Sequence, residues 1–234
     1  MNPGAKKAVF FDAAGTLFYP FPSVGEIYAD FARKYGMTVK ALDVGKAFKC
    51  EFEHREGLRS LEDSGGEEQE KAWWRELVIS VISQISPLRD FEAFFEELYS
   101  YFATEKAWRF YPDTLITLHR LKSKNVIMGV ISNWDSRLYS VCSSMGLNDF
   151  FSFILPSSSV GFAKPSQKIF QMALKCAGVN AFEALHVGDN LENDYAGGLA
   201  AGIDALLIDR EGNTEHDASV SVIRSLTEII SFTG

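Results

Sequence analysis

Cysteine is scarce in this chain. Cys50, Cys142 and Cys176 are the three present, they lie far apart, and no CxxC pair or Cys/His cluster includes them. A disulfide framework and a zinc site are therefore not expected. Long apolar runs are also missing. None approaches the roughly 20 residues that cross a bilayer, and no secretory apolar stretch follows Met1-Asn2-Pro3-Gly4-Ala5-Lys6-Lys7. Positive charge is in deficit, with 23 Lys and Arg against 31 Asp and Glu and a formal net charge of -8. A general binder of phosphate backbones needs a basic surface, so nucleic acid is excluded as a partner. A small phosphorylated substrate is not excluded, because positive charge can be gathered in one cleft. Together these absences point to a reduced, cytoplasmic protein with no membrane partner. They leave the oligomeric state open. The chain shows no internal repeat and no low-complexity segment.

What is present is enough for a sizeable core: 234 residues, 47% of them hydrophobic. The organising stretch is Ala8-Val9-Phe10-Phe11-Asp12-Ala13-Ala14-Gly15-Thr16-Leu17. A short apolar run closed by turn residues reads as a buried strand of a parallel sheet. Ligands of such sheets bind beyond the carboxyl ends of the strands, which places Asp12 at the mouth of the molecule. Gly15 lets backbone approach a ligand closely.

The texture then changes. Phe18 to Pro22 reads as a linker with two prolines. From Ser23 to about Glu105 apolar residues recur at helical spacing. Ser23 with Glu26 predicts a capping box. Ile27, Tyr28, Phe31, Ala32 and Tyr35 form one face, and Gly36 ends the helix. A second helix is expected over about Val39 to Glu56, a loop over Gly57 to Glu67, a third helix through Trp73 to Val81, and a fourth from Pro87 through Phe102. From about Asp113 helices alternate with strands again, the strands centred on Val126–Ile131, Phe151–Leu155, Ala184–Val187 and Ala205–Ile208. Helices are expected from Asp194 to Ala201 and from about Ser219 to the end. This alternation predicts an α/β doubly wound parallel sheet. The core is residues 1–17 with 106–234, and 18–105 is an inserted four-helix cap.

Polar groups fall at the strand ends: Asp12, Ser132, Lys164, and Asp189 with Asp194. A right-handed parallel layout gathers these ends on one sheet edge. Taken singly, Ser132 reads equally as an N-cap, Lys164 as a surface lysine, and Asp189 and Asp194 as helix caps. Taken together they suit phosphoryl transfer. A carboxylate can attack phosphorus and form an acyl phosphate. Mg²⁺ prefers carboxylates, a backbone carbonyl and waters, here Asp12, the Ala14 carbonyl and Asp189. Ser132 and Lys164 would hold the remaining phosphate oxygens.

The order of these motifs resembles the haloacid dehalogenase-like hydrolase superfamily, in its subfamily I with a helical cap. Asp12-Ala13-Ala14-Gly15-Thr16 matches the first motif, Ile131-Ser132-Asn133 the second, Lys164-Pro165 the third, and Gly188-Asp189-Asn190 through Asp194 the fourth. The resemblance implies Asp12 as nucleophile, Ser132 and Lys164 as phosphate contacts, and Asp189 with Asp194 as the metal arm. Thr16 and Asn133, inside the same motifs, are expected to contact substrate. The implied activity is a Mg²⁺-dependent phosphatase of small phosphorylated metabolites.

Ala14 departs from that pattern. Family phosphatases usually carry there a second Asp, which protonates the leaving group and later activates water, a role worth about 10²–10⁴-fold. Four readings follow. The enzyme is a weakened or specialised phosphatase. It is similar to phosphonoacetaldehyde hydrolases, with Lys40, Lys46 or Lys49 of the cap as a Schiff-base lysine. It is similar to 2-haloacid dehalogenases, which work without metal and lack the acidic pair of the fourth motif. Or it is a non-catalytic phosphate-ligand-binding or regulatory protein. His54, Arg55 and Arg59 border the cap loop and read as solvated or as substrate contacts on closure. Of Trp73 and Trp74, one is expected in the cap core and the other toward the cleft. His186 reads as structural, and Phe91, Phe94 and Phe95 as bundle packing.

Overall fold

A computed structural model of the chain describes residues 4–55, 57, 66–85, 90–212 and 217–233. The loop residues 58–65, with Arg59 among them, and Pro87 lie outside the described residues.

The described residues build a six-stranded parallel sheet from β1 (Ala8–Phe11), β4 (Ile127–Ser132), β5 (Phe153–Pro156), β6 (Ala184–Gly188), β7 (Asp204–Ile208) and β8 (Val222–Ile223). Their order is β5-β4-β1-β6-β7-β8, all pairs parallel. The first strand is central, with Phe11 level with Val130 on one side and Val187 on the other. The four residues of β1 are fully buried because both faces of the sheet are covered. Alternation divides them. Val9 and Phe11 join a core with Leu118 and Leu121 of α5 (Thr114–Ser123) and with Leu226 and Ile229. Ala8 and Phe10 face Ile169, Phe170 and Ala173 of α8 (Gln167–Ala177). Truncating Phe10 to Ala in such a core costs about 3–5 kcal/mol.

The helical insertion consists of α1 (Val24–Lys34), α2 (Ala41–His54), α3 (Glu67–Ser83) and α4 (Phe91–Tyr101). Ser23 caps α1 by accepting the Glu26 N–H at 3.2 Å, but its hydroxyl, not its N–H, donates to the Glu26 carboxylate. The expected box is thus half made. Ile27, Tyr28 and Ala32 are buried, and Phe31 and Tyr35 pack partly buried beside them.

Three expectations are corrected. Phe18 to Pro20 is not a linker but strand β2, antiparallel to β3 (Trp108–Phe110). The chain thus enters and leaves the helices through a two-stranded ribbon. Residues 194–201 do not form one regular helix. Leu191–Ala196 is a turn of π-helix and Gly197–Ala200 a single α-turn. The C-terminal segment is not an α-helix from Ser219. It supplies edge strand β8, then a 3₁₀ stretch, Leu226–Phe232, capped by Ser225 with Glu228.

Candidate active site

Asp12 follows β1 directly, and its N–H continues the ladder to the Val187 carbonyl at 2.9 Å. The chain then turns through Ala13 to Leu17, closed by Leu17 N–H to the Ala13 carbonyl at 2.8 Å. Gly15 sits in this turn with φ +89°, a region that disfavours other residues. A Cβ at Gly15 would lie 2.2 Å from Asp189 Oδ2. The absent side chain therefore makes room for the Asp189 carboxylate beside the Asp12 turn. Gly188 does the same for the other acid: a Cβ there would lie 2.1 Å from Asp194 Cγ.

Each neighbouring strand end adds a group. Ser132, the last residue of β4, donates its hydroxyl to Asp12 Oδ1 at 2.9 Å. The Lys164 ammonium donates to Asp12 Oδ1 at 2.6 Å and to Asp194 Oδ1 at 2.5 Å. Asp194 also accepts from the Asn190 N–H on Oδ2 at 3.1 Å, and His186 Nε2 lies 2.9 Å from its Oδ1. The π-turn places Asp194 in this position, a local widening often found at functional sites. Carboxylate oxygens of Asp12, Asp189 and Asp194 lie within 4.8 Å of one another.

The charges explain the titration behaviour. One ammonium offsets one of three carboxylates, so a formal excess of two negative charges remains. Burial raises the Asp12 carboxyl most, Lys164 opposes this, and Asp194 adds to it; the result is above the ordinary carboxylate range. Asp189 is exposed on its outer side, yet desolvation of its carboxyl, joined by Asp12 and Asp194, pushes it up to about 7. Burial also works against the charge on Asp194, but Lys164 and His186 outweigh it and hold the group low. Lys164 is raised for the reciprocal reason. The cluster thus takes up protons unless another cation offsets it.

The sequence-predicted residues are brought together, with two refinements. Asn133 forms a clasp with the Lys164 loop: its amide donates to the Lys164 carbonyl at 2.9 Å and its oxygen accepts the Lys164 N–H at 2.7 Å. Thr16 is fully buried, and among the described residues nothing bonds its hydroxyl, while its carbonyl accepts from Arg210 at 2.6 Å. His186 lies with its ring edge-on to Phe170 and its Nε2 against Asp194.

The model of the haloacid dehalogenase-like hydrolases matches residues 6–202. The chain belongs to that family. Haloacid dehalogenase-like hydrolase domain-containing protein 3 of Bos taurus is 31% identical over 200 residues, covering 84% of this chain and 79% of the relative. A Schizosaccharomyces pombe hydrolase of uncharacterised activity is 31% identical over 81% of this chain and 85% of its own. Among solved structures, a HAD phosphatase from Thermococcus onnurineus is 26% identical with a TM-score of 0.67 over 96% of both chains. A 2-haloacid dehalogenase from Pseudomonas syringae shares the fold at TM-score 0.69 and 22% identity, over 97% of both. No helix among the described residues is long and apolar enough to cross a membrane.

In this haloacid dehalogenase-like hydrolase the four-helix insertion roofs the strand ends. A cavity of about 240 Å³ lies beneath it, walled by Ala14 and Asn133 from the core and by Phe48, Phe52, Trp74 and Val78 from the insertion, with others. Beside it lies a buried polar network that sequence reading missed. Asp135 is fully buried and accepts from Trp74 Nε1 at 2.6 Å and from Arg137 Nε and Nη2 at 2.9 and 2.7 Å. Arg137 lies 4.8 Å from the Trp74 ring and 4.0 Å from the Tyr99 ring. Glu70, also buried, accepts the Ser136 N–H at 3.1 Å and the Ser136 hydroxyl. A run of Trp, Asp, Ser and Arg after Asn133 was the available signal. Its partners Glu70, Trp74 and Tyr99 are 38 to 66 residues away and left no local pattern. Trp74 is the cleft-facing tryptophan, and Trp73 packs edge-on against it. Arg55 pairs with Glu51 and Glu76 and His54 is exposed, so neither reaches the cavity.

Proposed function

We propose that this protein is a Mg²⁺-dependent phosphatase of small phosphorylated metabolites, working through an aspartyl-phosphate on Asp12. The observation that carries this reading is the approach of Asp12, Asp189 and Asp194 around a single ammonium. The donor set is hard oxygen, and the excess of two negative charges matches a divalent cation. Asp12, Asp189, Asp194 and the Ala14 carbonyl are the residues to hold it. Bound there, Mg²⁺ offsets the repulsion between an anionic nucleophile and a phosphate dianion.

The chain's own residues do the rest. Ser132 and Lys164 both bond Oδ1 of Asp12, so Oδ2 is the oxygen offered to phosphorus. As phosphate arrives, the Ser132 hydroxyl and Lys164 ammonium turn to its oxygens, while Asp194 keeps the ammonium in place. Asn133 fixes the Lys164 backbone, and Thr16 completes the floor. Residues 1–17 and 106–234 act as the catalytic core and 18–105 as a cap that excludes water. The setting is the cytoplasm, and neither nucleic acid nor membrane is needed.

Other chemistries have less support. Lys40, Lys46 and Lys49 are exposed, and none of them lines the cavity, which disfavours a Schiff base. A metal-free dehalogenase would send an anionic haloacid into an already over-negative cluster. A binding protein without turnover would hold phosphate with the same groups, and turnover itself separates it from an enzyme. The test is to incubate protein with Mg²⁺ and acetyl phosphate, treat with borohydride, and map the adduct by peptide mass. Reduction of an acyl phosphate at residue 12 to homoserine is expected, with none in Asp12→Asn and no turnover by that variant. Acyl phosphate at another residue, or substantial activity in Asp12→Asn, overturns the reading.

A further inference from the structure

We infer that the substrate is an aryl or enol phosphate whose apolar ring fills the cavity under the insertion, an inference that rests on the phosphatase reading and names its substrate class. Two independent observations converge. The first is the make-up of the cavity wall. Of the sixteen described residues that line it, nine are aromatic, with hydroxyls on Tyr28 and Tyr99, and the other polar side chains are Asn133 and Arg137. Asn133 spends its amide on the Lys164 backbone. Arg137 is matched by the buried Asp135 through two hydrogen bonds and gives a third to the Tyr99 carbonyl at 3.2 Å. Among the described residues, a second phosphate or a carboxylate on the substrate would find no uncommitted cation there. An apolar ring loses nothing.

Shape agrees with composition. Phe48, Phe52 and Trp74 are stacked with their planes 14–29° apart, so one wall is an array of near-parallel rings that a further ring can join. The volume of about 240 Å³ exceeds the roughly 150 Å³ of an apolar cavity that takes up benzene.

The second observation is Ala14, which lines the same cavity. Its methyl group stands where a leaving-group acid is missing. Asp12 attacks phosphorus, the P–O bond to the leaving group breaks, and the electron pair departs with that oxygen. Without an acid the oxygen leaves as an anion and takes its proton from solvent. A phenol, with a pKa of about 10, supports this far better than an alcohol near the value of water, about 16. Water then attacks phosphorus, the P–O bond to Asp12 breaks, and phosphate leaves with the proton balance made up by solvent. The residue that cannot donate a proton and the wall that favours a ring select the same substrate.

The experiment uses the full chain with 1-naphthol, 1-naphthyl phosphate and acetyl phosphate. Trp74, Trp108 and Trp134 line the cavity and report occupancy by fluorescence. Saturable quenching by the neutral naphthol is expected, because a buried ring removes about 150–250 Å² from water. The ratio of kcat/KM for naphthyl phosphate over acetyl phosphate should be about 10²-fold in the wild type. Val78→Phe, which fills the cavity, should lower that ratio and the naphthol affinity about tenfold. Phe52→Leu, at a less buried position, removes one wall ring and should act in the same direction should Val78→Phe fail to fold. Absence of saturable quenching, or a ratio unchanged in the folded variants, overturns the inference. If acetyl phosphate still phosphorylates Asp12 in that case, the phosphatase reading stands alone. If acetyl phosphate never modifies Asp12, the phosphatase reading falls and takes the substrate class with it, even where naphthol binds.

Discussion

Trp74 of the helical insertion donates its indole N–H to Asp135 of the core loop at 2.6 Å, across 61 residues of sequence. The same loop begins with Ser132, which bonds Asp12. The roof and the loop after β4 are therefore joined by a buried hydrogen bond to a charged group, a type worth about 1.5–3 kcal/mol net. Trp74→Phe keeps a ring but loses the donor. Its stability in urea should fall by about that amount, and the double variant with Asp135→Asn should show a coupling energy well above zero. Additive losses would mean that the contact holds nothing together.

Gly15 and Gly36 make a controlled pair. Both have positive φ, +89° and +81°. A Cβ at Gly36 meets no atom within 4 Å, whereas one at Gly15 strikes the Asp189 carboxylate. Gly15→Ala and Gly36→Ala should each lose about 1–3 kcal/mol from backbone strain. Gly15→Ala alone should also lose the stabilisation expected from Mg²⁺, about 2.7 kcal/mol with the ion at a hundredfold excess over Kd and read as a rise in Tm. Equal Mg²⁺ responses in the two variants would argue against Asp189 as a ligand.

Restoring the missing acid is a separate probe. Ala14→Asp should raise kcat on alkyl phosphates, toward the about 10²–10⁴-fold that general acids provide, and raise it much less on aryl phosphates. A uniform change across leaving groups, read from a plot of rate against leaving-group pKa, would detach Ala14 from proton transfer.

Away from the site, Asp113 is one of several carboxylates that contribute to acid stability. Burial disfavours its charge, but Arg210, the Leu226 N–H and the Ser225 hydroxyl outweigh this and hold its carboxyl below 3.8. A folded pKa below the unfolded one means stability present in full above 3.8 and lost as pH falls through the folded value. Wild-type unfolding free energy should drop across that window. Asp113→Asn should be less stable at neutral pH and flatter below it; an identical acid slope would exclude Asp113 as the cause.

Much of this was legible in the sequence because it is local. Apolar runs ending in Asp12, Ser132 and Gly188 state both the strand and the group at its end, and burial of all four residues of β1 follows from their continuous hydrophobicity. The helical spacing of Ile27, Tyr28 and Ala32 was equally readable. What was not legible depends on distant partners. Pro20 looked like a break, yet it pairs with Trp108 in a ribbon closed by 87 intervening residues. The π-turn at Asp194 adds one residue per turn without changing composition. Glu70, Trp74, Asp135 and Arg137 read as ordinary members of helices and loops until the fold removes them from water together.

The position of β1 has a consequence for how the chain is made. Of the described strands β1 is made before its edge partners β4 and β6, and the latter ends at Gly188. Until then a wholly apolar ribbon stays open to mispairing. Such distant closure also slows folding. A truncation lacking the last quarter of the chain should therefore accumulate as aggregate rather than as a smaller, inactive core.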